Sequence, residues 1–295
     1  MIPEEYYKAG NILAKTINKT RDLIKPGINI LEICEFIEGE IEKLGAKPSF
    51  PANIDINEIG AHYTSPPNDK SKIPDNSVVK IDAGSHINGY INDMAITINF
   101  GEKKYDKYIE AAEAALATAI NHIKPGVKVD LIGELVEKKI KSYDLKPISN
   151  LSGHQLKQYN LHAGQSIPSV KSNEEGYFKI NEVYALEPFV TDKSAAGRVK
   201  SGNEAYIYQF IKRKKNLIKF LAQPADEIRR KFNRLPFCLR WLPEKYHTSD
   251  IIKRLTSIGI LHAYPVLIEA RKGVVAQAEK TIVVTSDGCE VLTGL

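Results

Sequence analysis

The sequence predicts an α+β fold in which helices cover a curved, mostly antiparallel sheet. Two observations carry that prediction: an internal repeat, and the succession of amphipathic helices and β-branched segments around it. At 295 residues, 43% hydrophobic and 26% charged, the chain can bury one large core or two ordinary ones, which excludes a disordered tail protein. Its 19 glycines and 15 prolines are near average usage and exclude collagen-like or low-complexity chains. No apolar run approaches the ~18 to 20 residues of a membrane span. The start Met1-Ile2-Pro3-Glu4-Glu5 lacks the basic opening and apolar core of a secretory signal, so a cytoplasmic protein without membrane association is expected. Cys34, Cys238 and Cys289 are odd in number and far apart, which argues for buried thiols over disulfides or thiolate zinc.

The repeat sets residues 24–48 against 123–147 at an offset of 99, with ten identities in 25 positions. About one or two would follow from average residue usage. Ile24-Lys25-Pro26-Gly27 recurs as Ile123-Lys124-Pro125-Gly126, and Lys47-Pro48 as Lys146-Pro147. Each copy reads as a Pro-Gly turn, an amphipathic helix (31–44 and 130–143) and a strand-leading proline. A helix precedes each, at 4–23 and at the alanine-rich 105–122. Strands are predicted at 78–81, 91–100, 182–188 and 274–285, where β-branched residues gather. Two such halves place a site between them. Residues 191–265 break the repeat. Within them, 211–254 carry thirteen Lys or Arg against four acids, a local +9 in a chain of net +5. Runs such as Lys212-Arg213-Lys214-Lys215 interleave with Phe220, Phe232, Phe237 and Trp241, which predicts a small helical insert with its own apolar contacts. The domain division expected is therefore 1–190 with 266–295, and 191–265.

Chemistry is sought where charged groups sit in strand contexts. Asn88-Gly89 is a hairpin signal, and a two-residue turn there sets Gly84 opposite Asp93 and Asp82 opposite Ala95. Asp82 and Asp93 then share one face as diagonal neighbours and can meet across a pair of metal ions. A three-residue turn would send Asp93 to the other face. Glu187 and Glu279 each interrupt an apolar strand, and a buried carboxylate demands a partner, most economically a cation. His154, after Gly153, could complete an oxygen-rich site. His62 and His162 lie 100 apart, one off the repeat offset, and are candidates for matching positions on the two halves.

Asp82, Asp93, Gly153-His154 with His162 eight residues on, Glu187-Pro188 and Glu279, in that order, resemble the type 2 methionine aminopeptidases, archaeal rather than eukaryotic. The resemblance spans essentially the whole chain. It implies the pita-bread fold for 1–190 and 266–295, with 191–265 as the helical subdomain. It further implies two divalent metal ions (Co, Mn, Fe or Zn) held by Asp82, Asp93, His154, Glu187 and Glu279. A metal-bridged hydroxide would attack, Glu187 would act as base and acid, and His62 and His162 would bind the scissile peptide and its oxyanion. Phe50 would wall the methionine pocket. The substrate implied is a peptide or nascent-chain N-terminus starting with Met before a small residue, and the enzyme would be a monomer. The family usually reads Phe-Glu-His-Thr at the last ligand, where this chain reads Ala278-Glu279-Lys280-Thr281. Activity is expected to persist with Lys280, although a lysine beside the ligands could alter their hydrogen bonding. A prolidase shares the ligands, but the insert and the His154 to His162 spacing favour the aminopeptidase. A metal-free ribosome-binding relative would have lost ligands, whereas ribosome contact through the basic insert fits a secondary role.

Overall fold

In the computed structural model, which describes residues 2–214, 217–247 and 250–294, the sequence repeat is also a repeat of structure. Lys215 of the basic run and Met1 lie outside the described residues. The first half runs α1 (Glu4–Leu23), α2 (Ile30–Lys43), β1 (Lys47–Ile56), β2 (Ile59–Ala61), β3 (Val78–Ile87) and β4 (Tyr90–Asn99). The second runs α3 (Asp106–His122), α4 (Val129–Ser142), β5 (Leu145–Pro147), β6 (Ser152–Leu156), β7 (Ser166–Pro168), β8 (Val183–Leu186) and β9 (Phe189–Asp192). Next come β10 (Val199–Phe210), α5 (Lys219–Phe232), β11 (Phe237–Cys238), α6 (Ile251–Ser257) and β12 (Leu261–Glu269). The chain closes with β13 (Val275–Gln277), β14 (Lys280–Val284) and β15 (Cys289–Val291).

Helices α2 and α4 begin at 30 and 129 and end at 43 and 142, the offset read from the sequence. The shared Lys-Pro-Gly entrance has a backbone cause. Gly27 and Gly126 hold φ of +86° and +82°, where a side chain is strained. Their N–H groups donate to Ile73 O at 2.8 Å and Phe178 O at 2.9 Å, so each turn is pinned to a matching strap. Asn29 then caps α2 by accepting from Leu31 N and Glu32 N.

Each half buries its own core. Leu13, Ile17, Ile33, Ile37 and Ile41 of α1 and α2 pack on Ile54 and Ile81 in the first. Ala111, Ala115, Ile132, Val136 and Ile140 of α3 and α4 pack with Tyr184 and Ile282 in the second. Each fully buried Ile or Leu contributes roughly 1.5–3 kcal/mol, so the periodic apolar positions are what hold the helices on the sheet.

Every pairing between described strands is antiparallel. The second-half sheet is interrupted: β8 and β14 belong to one five-stranded sheet, and β9 and β13 to a three-stranded one. The stretch expected as a helical insert does have a third core, with Phe210, Ile228, Phe232, Phe237 and Leu255. It differs from expectation in three ways. Its helices α5 and α6 are flanked by the antiparallel pair β10 and β12, and β12 also pairs with β2 of the first half. The expected borders at 191 and 265 fall inside β9 and β12, because the strands run on past the point where the sequence repeat stops. Phe220, read as an apolar contact, is 59% exposed. No helix among the described residues is long and apolar enough to cross a membrane.

Candidate active site

The β3–β4 hairpin sets the first two carboxylates. Asn88 and Gly89 take φ of 52° and 84°, the left-handed pair that a two-residue primed turn needs. Asp82 pairs with Ala95 and Gly84 with Asp93, so both carboxylates lie on one face. Asp93 is locked from the far end of the chain, because its N–H donates to Thr281 Oγ1 at 2.7 Å and that hydroxyl donates back to Asp93 O at 2.8 Å.

The two glutamates sit at the sheet breaks. Glu187 and Pro188 separate β8 from β9, while Ala278 and Glu279 separate β13 from β14. Leu186 pairs with Lys280 on one side of the break and Phe189 with Gln277 on the other, which brings the interruptions face to face. At such a break a side chain leaves the sheet alternation, so a glutamate can turn toward the cleft without displacing a core residue. His154 enters on β6, paired with Ala185 just before Glu187.

Asp93, His154 and Glu279 each offer a ligand atom, and these three atoms lie within 4.8 Å of one another. His154 Nε2 is 3.5 Å from Glu187 Oε1 and 3.8 Å from Asp93 Oδ2. Asp82 Oδ2 accepts from Asn53 Nδ2 at 3.5 Å, and Glu279 Oε2 from Gln277 Nε2 at 3.1 Å. Asp82 Oδ1, Asp93 Oδ1 and Glu279 Oε1 are buried without a hydrogen-bond partner. Burial first, and neighbouring charge second, from Asp55, pushes Asp82 up to about 8. Burial first, and then charge from neighbouring carboxylates with Asp82 common to all three, drives Asp93, Glu187 and Glu279 well above the usual carboxylate range. Burial, with His162 adding to it, holds His154 neutral. Orphaned carboxylate oxygens around a neutral imidazole are the donor set of a divalent cation, and the residues present fit one.

Above this floor opens a cavity of about 380 Å³, lined by Phe50, His62, His162 and Tyr264 as well as the four carboxylates and His154. His62 holds a strained φ of 72°. Its Nδ1 lies 3.2 Å from Pro265 O, which can only accept, so Nδ1 carries the proton and Nε2 is an acceptor. Burial lowers His62 to about 4, which keeps the ring neutral. The rings of His154 and His162 meet edge to face at 4.4 Å between centroids. All the sequence-predicted site residues thus line one cavity.

Lys280 lies elsewhere. It opens β14, and its ammonium donates to Thr293 O at 2.7 Å and lies 3.8 Å from Met94 Sδ, so it does not take the place of a ligand partner. Sequence reasoning missed Asn53, Thr281 and Tyr264. Tyr264 packs edge-on to His62 at 5.4 Å and against His162 at 6.3 Å, from a strand of the insert. No local signal marks it; Thr281, two residues past Glu279 on an alternating strand, was the one within reach.

The sequence pattern of metallopeptidase family M24 matches residues 4–286. A methionine aminopeptidase of Methanocaldococcus jannaschii is 39% identical over 290 residues, 98% of each chain. Among solved structures, a thermophilic Arx1 superposes with TM-score 0.86 at 20% identity, covering 99% of this chain and 90% of that one. A methionine aminopeptidase from Thermotoga maritima does so with TM-score 0.72 at 18% identity, covering 100% and 98%. At these identities the two structures speak to the fold alone.

Proposed function

The chain belongs to metallopeptidase family M24, a metal-dependent hydrolase that removes N-terminal methionine, and from that premise we propose how its residues do so. The single observation that carries the proposal is the convergence of the buried Asp82, Asp93, His154 and Glu279 with the half-buried Glu187, several oxygens unpartnered, in one cavity.

Asp82, Asp93, His154, Glu187 and Glu279 would hold two divalent ions, with Co, Mn, Fe and Zn all compatible with such donors. The bound cations supply Lewis acidity and a water of lowered pKa. Glu187, 3.5 Å from His154 Nε2 and 15% exposed, takes the proton of the attacking water and delivers it to the leaving amine. His62 presents a bare Nε2 and accepts from the scissile N–H, whereas His162 donates to the developing oxyanion. The free α-amine would bind beside the cation site, which restricts cleavage to the chain terminus. Phe50, 6% exposed, walls the methionine side chain, and a cavity of about 380 Å³ suits a methionine followed by a small residue. Nascent chains in the cytoplasm are the natural substrates of such a site, and a monomer suffices because one chain supplies every group. In domain terms, 1–190 with 266–295 carries the ligand and catalytic side chains, and the 191–265 insert adds Ile207, Pro236 and Tyr264 to the cavity wall.

Incubating Met-Ala-Ser and Ala-Pro-Phe with the protein, with and without divalent metal, tests this by mass spectrometry. Metal-dependent loss of methionine alone, abolished in Glu187→Gln, is expected. Cleavage ahead of proline would move the specificity to the prolidase side.

A secondary contact with ribosomal RNA is favoured by Lys212, Arg213, Lys214, Lys219, Arg229 and Arg230, all exposed on the insert. Co-sedimentation with ribosomes that did not weaken between roughly 50 and 200 mM salt would remove it.

A further inference from the structure

We propose that Arg240 is a positioning residue for the substrate pocket, latching the insert onto the bulged part of β1 so that Phe50 and Pro236 hold their places. The β1–β3 ladder slips between Phe50 and Asn53, which leaves Ala52 without a ladder partner. Side chains take its backbone groups instead: Ala52 N donates to Glu38 Oε1 at 3.1 Å, and Thr64 Oγ1 donates to Ala52 O at 2.7 Å. Arg240 Nη2 reaches both supports, donating to Glu38 Oε1 at 2.8 Å and Thr64 Oγ1 at 2.9 Å. Trp241 Nε1 donates to the other oxygen, Glu38 Oε2, at 2.8 Å, and Arg240 Nη1 lies 2.9 Å from Cys238 Sγ.

Both ends of this network carry cavity walls. On one side stand Phe50 and Asn53, the latter bonded to Asp82. On the other, Cys238 pairs with Ile207, and both Ile207 and Pro236 line the same cavity. Pro236 also borders a second cavity of about 480 Å³, lined by Glu38, Arg240 and Trp241. It is a partition with open space behind it, so its place depends on the chain that follows. The guanidinium and the carboxylate are 5% and 10% exposed, and removing one alone strands the other's charge. The insert is thereby a structural part of the pocket and not only a basic appendage.

The inference rests on the methionine-removing activity above. Its test is steady-state release of methionine from Met-Ala-Ser by the metal-loaded full chain, with melting temperatures, for wild type, Arg240→Lys and Glu38→Gln/Arg240→Gln. Arg240→Lys keeps the charge and loses the fork; the double variant has no charge to strand and recovers its melting temperature. Both are expected to raise KM about tenfold with kcat within about threefold, the mark of a wall that no longer fits. A double variant whose KM returns to the wild-type value together with its melting temperature would overturn the latch, leaving a purely structural ion pair. So would a KM within twofold of wild type in folded Arg240→Lys. A wild-type chain that releases no methionine would overturn the activity itself, a result distinct from an active wild type with indifferent variants.

Discussion

Adding a divalent cation to metal-stripped protein at pH 7 is expected to expel protons and raise the melting temperature. Burial pushes Asp82 up to about 8, and a group titrating there is about 90% protonated at pH 7. Asp93, Glu187 and Glu279 are displaced in the same direction. A raised folded pKa means that the folded, cation-free protein binds more protons than the unfolded chain from about pH 4 to about pH 8. Its stability therefore falls as pH rises through that window, and the stabilisation by a cation grows over the same range. At a hundred times its dissociation constant a ligand adds about 2.7 kcal/mol. With an unfolding entropy near 2.1 cal/mol/K per residue, the 295-residue chain gains roughly 4 °C. Titration calorimetry in two buffers of different ionisation enthalpy should show more than one proton released per chain at pH 7 and fewer at pH 9. Equal heats in both buffers at pH 7 would mean that the carboxylates are ionised without a cation, and the electrostatic reasoning would be refuted.

Three further outcomes are expected. His62→Gln lowers kcat about a hundredfold, and because burial holds this ring near 4 its acid limb above pH 5 matches the wild type's; a limb that vanishes in the variant would contradict the neutral assignment. Lys280→His changes turnover less than about threefold, since the ammonium serves Thr293 O; a gain of orders of magnitude would place it beside the ligands after all. In Gly84→Ala the new methyl would meet Ser49 Oγ at 2.1 Å and Phe50 Cε1 at 2.3 Å, so the ring must move. That overpacking costs about 1–3 kcal/mol, lowers the melting temperature by a few degrees and raises KM for methionine peptides, all visible by calorimetry and kinetics.

The duplicated α+β fold was legible because its determinants are local, and the resemblance of the ordered ligand residues supplied its family. Lys-Pro-Gly announces a turn that only a left-handed glycine allows, and its recurrence 99 residues on announces the second half. Asn88-Gly89 dictated the hairpin register and with it the shared face of Asp82 and Asp93. Glu187 and Glu279 were conspicuous for a similar reason, since a carboxylate within an apolar strand must have a partner. Other features were decided only when distant segments met. Nothing near Glu187 says that its strand breaks opposite the break at Glu279, or that Thr281 clamps Asp93 across 188 residues. The basic stretch announced α5 and α6 but not the β10–β12 pairing that flanks them, because composition reports exposure while pairing depends on a partner strand far along the chain. Lys280 looked like a neighbour of the ligands because it is one in sequence, yet its ammonium is taken by Thr293 O, a partner that only the folded C-terminal segment brings to it. Local propensity, turn chemistry and the identity of ionisable groups belong to the sequence itself. Which of those groups share a cavity, and which arginine braces its wall, depends on contacts across hundreds of residues that exist only in the folded chain.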